Sequence, residues 1–311
     1  MITARAVAMG VALCLISFRP VTARADAAKA WTAAKTNLPA NTEVVVGLDV
    51  ATLAKSSLFQ LAFPMILAQQ PDIKSGLELV KTTCKIDPLT AINGMVAGTD
   101  KEQKQGAIFI AVTGLDEAKI VTCLEAIAKA KGAKDAKVAV TKDGGITELT
   151  MGTDKLYLSW IGKDVIVMPL TPGDKAQLVT WTGGKKALAK APVGPSVAKV
   201  DTRSAIWAVS SVERDLEGMK MKGGYGGLAM AKGKLTIDLH IAMPNAVDAT
   251  TVADKATAEL AVKTNGPGLA PALKPLLEAV MIKSAAAEVV IKASFPEGDL
   301  LALAGALMSG N

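Results

Sequence analysis

Asp238 and His240 stand two residues apart in LTIDLHIAM, and the chain has no other histidine. Alternation along a strand puts Leu235, Ile237, Leu239, Ile241 and Met243 on one face and the carboxylate and imidazole together on the other. Such a pair could serve as general acid and base. The same alternation equally describes the solvated polar side of a half-buried strand. No Gly-x-Ser-x-Gly turn is present to supply a serine nucleophile. GYGGLA, residues 224–229, fits the letters of a dinucleotide-binding glycine motif. That motif must join a strand to a helix. Here LAMAKGKLTI follows and reads as strand, turn and strand, so the glycines mark a bulged or bent strand. Gly183-Gly184-Lys185-Lys186 lacks the first glycine and the Ser/Thr of a phosphate loop. It reads as a turn, with anion binding as the lesser alternative.

Cysteine is the other reactive side chain, at positions 14, 84 and 123. Residues 1–25 have Arg5, an apolar run from Ala6 to Phe18, a helix-breaking Pro20 and then Ala23-Arg24-Ala25. This is the pattern of a secretory leader cleaved after Ala25, with an apolar run too short to cross a bilayer. Cleavage removes Cys14 and leaves Cys84 and Cys123, an even number in an oxidising compartment. Leu77, Val80 and Cys84 share one helix face; Ile120, Cys123, Leu124 and Ile127 share another. Packing those faces together would place the sulfurs within bonding reach. Two buried free thiols are the other reading. A zinc site needs about four ligands, and one histidine does not furnish a Cys/His set. No metal and no cofactor is expected.

Removing residues 1–25 takes three arginines and no acid, so the net charge falls from +6 to +3. Only Arg203 and Arg214 then remain, and aromatic residues make up 4% of the chain. Phosphates and guanine edges are read mainly by arginine, so a nucleic-acid partner is not expected.

The positioning elements follow from periodicity. A helix over 27–36 precedes a buried strand, TEVVVGLDV. Residues 51–68 read as helix, broken or kinked at Pro64. Within it, SLFQLAFPMILA is apolar almost all round. Such helices are usually core. The sharper reading is a patch for a lipid, a peptide or a partner, formed by Leu58, Phe59, Phe63 and Met65. A helix over 73–84, strands INGMVAGTD and GAIFIAVTG, and a helix over 117–131 capped by Asp116 come next. Two hairpins lead to a junction at 171–196. Beyond it are strands at 204–212 and on either side of Lys232-Gly233-Lys234, a helix over 246–262, LAPALKPLLEAVM as helix, AAEVVIKASF as strand and LLALAGALM as a short helix.

The two halves look loosely alike. GAIFIAVTGLDEAKIVTCL and KLTIDLHIAMPNAVDATTVA each carry a strand through a loop into an amphipathic helix, which suggests an internal duplication. The expectation is an α+β protein of two loosely similar halves, residues 26–195 and 196–311, with antiparallel sheets and helices packed on one face.

Leu38-Pro39, the strand ending at Asp49, the helix start at Ser57-Leu58, Cys84-x-x-Asp87-Pro88 and a helix bearing Cys123 form a pattern. It resembles a group of secreted proteins of myxobacteria and their relatives. The resemblance implies secretion, a two-half α+β body and the disulfide; it implies no activity and no catalytic residue.

Together these readings point to a periplasmic or secreted envelope protein with a non-enzymatic interaction role. Its partner would be another envelope protein or an apolar ligand, and the body would not span the membrane once the leader is gone. A carrier of small apolar ligands or lipids is the second possibility. A hydrolase using Asp238 and His240 or other carboxylates is the third.

Overall fold

The computed structural model describes residues 26–132, 137–171, 173–183, 185–216, 218–267, 269, 271 and 273–309. The expected leader, with Cys14, lies outside them.

The first half contains α1 (Asp26–Asn37), β1 (Val44–Leu48), α2 (Val50–Lys55), α3 (Ser57–Gln69), α4 (Pro71–Thr83) and α5 (Pro88–Ala91). It continues through β2 (Ile92–Thr99), β3 (Gly106–Val112), α6 (Glu117–Ala130), β4 (Ala139–Asp143), β5 (Ile146–Met151), β6 (Asp154–Ile161), β7 (Val165–Pro169) and α7 (Lys175–Thr182). A 3₁₀ turn (Ala187–Lys190) and α8 (Gly194–Val197) lead into the second half. That half contains β8 (Ile206–Ser210), the small hairpin β9 (Arg214–Leu216) and β10 (Met219–Met221), β11 (Gly224–Ala231) and β12 (Lys234–Ala242). It ends with α9 (Ala246–Asn265), α10 (Lys274–Glu278), β13 (Val280–Ala285), β14 (Glu288–Pro296) and α11 (Glu297–Ser309).

The expected α+β class with antiparallel strands is what the chain adopts. Among the described residues, twelve strands make one sheet in the order β13-β14-β12-β11-β8-β1-β2-β3-β7-β6-β5-β4. The halves therefore do not carry separate sheets. They meet at a seam where β1 pairs antiparallel with β8, Val46 opposite Ala208. Counted outward from that seam, β1-β2-β3-β7 on one side mirrors β8-β11-β12-β14 on the other. The two segments that look alike in sequence, β3 with α6 and β12 with α9, occupy matching places. The boundary drawn at 195/196 falls inside α8.

Residues opposite each other on antiparallel strands share a face, so the register assigns both faces of the sheet. One face carries Ile110 and Ile166 in the first half and continues to Ala293 in the second. The α4 and α6 helices cover its first part, burying Val80, Ile120 and Leu124. Over the second part α9 buries Ala249 and Ala253 against Val289. The opposite face carries Phe109, Val167 and Trp207, packed under α1 and α7 with Leu178 and Trp181. Helices thus cover one face along its length and also the second face of the first half. The antiparallel sheet is sandwiched there, beyond the single helical layer expected. Over β12 and β14 the second face bears the polar residues Asp238, His240 and Lys292.

The close packing depends on two glycines. A Cβ on Gly98 of β2 would lie 2.4 Å from Leu38, the residue that follows α1. A Cβ on Gly47 of β1 would lie 2.1 Å from the Trp207 ring across the seam.

Two local readings need correction. The helix expected over 51–68 divides at Ser56, not at Pro64: the Ser56 hydroxyl accepts from Phe59 N at 3.1 Å, and α3 then runs through Pro64. The helix expected over LAPALKPLLEAVM is only Lys274–Glu278. Its last residues start β13, which turns into β14 at Ala286 with φ 52° and no glycine to announce the turn.

Candidate functional site

Cys84 and Cys123 are joined in a disulfide across a separation of 39 residues. Cys84 caps the end of α4, and Cys123 lies on the buried face of α6. Cys123 sits in the core cluster with Val80, Ile120 and Leu124, and Cys84 packs against that cluster partly buried. The bond clamps the end of α4 to α6.

The apolar helix lies at the surface. Of the 13 residues of α3, none is buried and none carries a charge. Phe59 and Phe63 stack on each other with ring centroids 4.8 Å apart. Leu58 packs toward Leu235 and Phe295, and its amide donates to Glu297 Oε1 at 3.0 Å. That anchors the start of α3 to the start of α11. Beyond the anchor, Met65 is 43% exposed and Ile66 50% exposed. The usual rule that an all-round apolar helix is core does not describe α3. Lys55, Lys232 and Lys234 line a cleft of about 250 Å³ at its N-terminal end, together with Leu58 and Glu297.

Asp238 and His240 come together as their alternation suggests, within a larger network. His240 Nε2 lies 3.1 Å from Asp238 Oδ1, and Nδ1 lies 2.9 Å from Glu288 Oε2. The Tyr225 ring lies on the imidazole at 4.5 Å and 9° between planes. Tyr225 also donates its hydroxyl to Glu288 Oε2 at 3.0 Å. Lys199 reaches Glu288 Oε1 at 2.7 Å, and Lys292 reaches Asp238 Oδ2 at 2.9 Å. Glu288, Lys199 and Lys292 carry no motif, and the glycine pattern around Tyr225 gives no hint of this contact. The signal for Tyr225 and Lys292 was register: they stand opposite His240 and Asp238 on the neighbouring strands.

The network has carboxylates at both imidazole nitrogens. A neutral ring can donate to only one of them. Asp238 Oδ1 is buried and has no hydrogen-bond donor among the described residues, although Nε2 stands beside it. An acid/base histidine must present a nitrogen to substrate. Here carboxylates occupy both edges and Tyr225 covers one face of the ring. Clefts of about 620, 370 and 250 Å³ take no wall residue from this network. The geometry suits a latch between the loop at Lys199 and β14 better than a catalytic centre. Among the described residues, no three His, Cys, Asp or Glu side chains converge as a metal site requires.

No family model matches the chain, and no curated protein matches it. Solved structures offer a distant likeness. Crystal form I of TP0453 aligns with a TM-score of 0.46 at 11% identity, over 89% of this chain and 96% of that one. Crystal form III gives 0.45 at 9% identity, over 88% of this chain and 97% of that one. Likeness at this level carries no inference about fold or role.

Burial pushes the Glu288 carboxyl up, but donors from Lys199, His240 and Tyr225 outweigh it and hold the group below its ordinary value. Burial, helped by the Glu288 hydrogen bond, pushes the Tyr225 phenol up to about 12. A carboxylate depressed in the folded state stabilises the fold above its unfolded value, roughly 4.3. That contribution is lost as pH falls through the lower folded value. Glu288→Gln is therefore expected to cost about 1.5–3 kcal/mol at pH 7, the usual size for hydrogen bonds to a charged group. Urea unfolding of both proteins at pH 7 and pH 3 checks this: the gap should narrow on the acid side. An equal gap at both pH values would remove the ionised carboxylate from the explanation.

No helix among the described residues is long and apolar enough to cross a membrane.

Proposed function

We propose that this chain is an extracytoplasmic envelope protein that works by contact, not by turnover, and that α3 is its contact surface. The observation that carries the reading is a 13-residue helix with no charge and no buried residue. A contiguous apolar surface of this kind on a folded protein marks a place that something else covers. The disulfide supports an oxidising compartment, where such bonds persist. Carboxylates at both imidazole nitrogens of His240 weigh against the acid/base alternative. The occupant is an apolar face of another envelope component. Carriage of, or contact with, lipid is the second reading, and Lys55, Lys232 and Lys234 beside the start of α3 favour it. Lysines flanking an apolar helix suit an anionic lipid surface.

Photo-crosslinking in cells that export the protein tests both readings. A photoreactive phenylalanine analogue replaces Met65 in one variant and Val262 of α9 in another; Val262 is itself 72% exposed. An adduct at Met65 and none at Val262 is the expected result. The mass of that adduct separates a protein partner from a lipid. Equal labelling at both positions, or none at Met65, would remove α3 as the contact surface.

A further inference from the structure

Lys185 and Lys186 lie outside the contact surface. The fold brings Lys186 to the end of α1, where its amide donates to Thr36 O at 2.7 Å. Between α1, the 3₁₀ turn and α8 lies a cleft of about 620 Å³, within the span of small-molecule sites. Its walls are apolar, with Trp31, Leu188, Val197 and Val200. Trp31 is held in place edge-on against Trp207, with centroids 4.9 Å apart and 78° between planes. Lys35 and Lys186 are the two charged side chains of the cleft, and its walls contain no Asp or Glu. Both lysines are exposed, and neither forms an ion pair among the described residues. Lys29, Lys175 and Lys199 on the same chain each have a carboxylate within 2.7 Å.

We infer that this cleft binds a small organic anion: an apolar body, aromatic or short acyl, packed on Trp31 and the aliphatic walls, with its carboxylate held between Lys35 and Lys186. An apolar recess takes the body because burial removes that surface from water. The unpaired ammonium groups select the charge, because an anion gains their field while a neutral analogue of the same shape does not. The inference is independent of the role given to α3.

Calorimetric titration of the folded, oxidised protein with 2-naphthoate and octanoate tests it, against the neutral 2-naphthylmethanol and octanol. At least one carboxylate should bind, and at least tenfold more tightly than its alcohol. The double variant Lys35→Gln, Lys186→Gln should weaken that carboxylate at least tenfold and leave the alcohols unchanged. Both lysines are exposed, so the fold should survive, and the thermal midpoint verifies that it does. Which carboxylate binds distinguishes an aromatic from an acyl body. Met65→Ser should change nothing, since α3 is elsewhere. Equal affinity for acid and alcohol, full affinity in the double variant, no heat at millimolar carboxylate, or a loss in Met65→Ser would each overturn the assignment.

Discussion

Replacing Cys84 and Cys123 together with alanine is expected to lower the unfolding free energy by about 4 kcal/mol. The bond closes a loop over a separation of 39 residues, and the entropy withheld from the unfolded chain by such a loop is of that order. Alanine is the right replacement because Cys123 is only 5% exposed, and a serine hydroxyl there would add an unpaired polar group to the core. The clamp joins the end of α4 to the middle of α6, two helices that otherwise meet only through side chains. Denaturant titration of the oxidised protein, the alanine variant and the reduced protein measures the effect. The last two should agree, and both should unfold at much lower urea. A difference below about 1 kcal/mol would mean that the unfolded chain is already restricted there, or that the helices pack better without the bond.

Gly47→Val is expected to cost about 3–5 kcal/mol, comparable with loss of a buried tryptophan. Gly47 lies in β1 between β2 and β8, so the strand that carries it is hydrogen-bonded on both sides. The Trp207 ring lies over it, and an added Cβ would meet Cε2 at 2.1 Å and Nε1 at 2.2 Å. With the strand fixed, the ring has to move. Trp207 is 3% exposed and braces Trp31, so its displacement opens the core below α1. Thermal unfolding gives the stability change, and tryptophan emission should shift to the red as the indole meets water. A variant within about 1 kcal/mol of the original, with unchanged emission, would show that the seam can re-form around a side chain.

Much of this fold could be read from local pattern. The alternation in LTIDLHIAM, the cap at Asp116 and the turn at Lys232-Gly233 are all found where they stand in the sequence. Each depends on residues a few positions apart. The cysteine pair was suggested by parity and by two helix faces, which are also local. What could not be read depends on partners far along the chain. The pairing of β1 with β8 leaves no trace in either strand, so two sheets were the natural reading of one. Glu288 opens β14 and reaches His240 only because β12 lies beside it. Lys199 sits in a loop whose course nothing local determines. The exposure of α3 was hidden for another reason: uniform apolarity has no direction, so it cannot tell which side faces water. The hairpin at Ala286 turned without glycine or asparagine, and a short helix reading ran on into its first strand.

The seam also fixes an order of events during synthesis. By the time α7 has emerged, β1 has β2 on one side and nothing on the other. Its missing neighbour, residues 206–210, is still to be made. An incomplete chain thus carries an open strand edge, the kind of edge through which partly folded chains stick to one another. A chain truncated anywhere before β8 would keep that edge for good. The first half can therefore gather its own core early, but it becomes a finished surface only when the second half arrives.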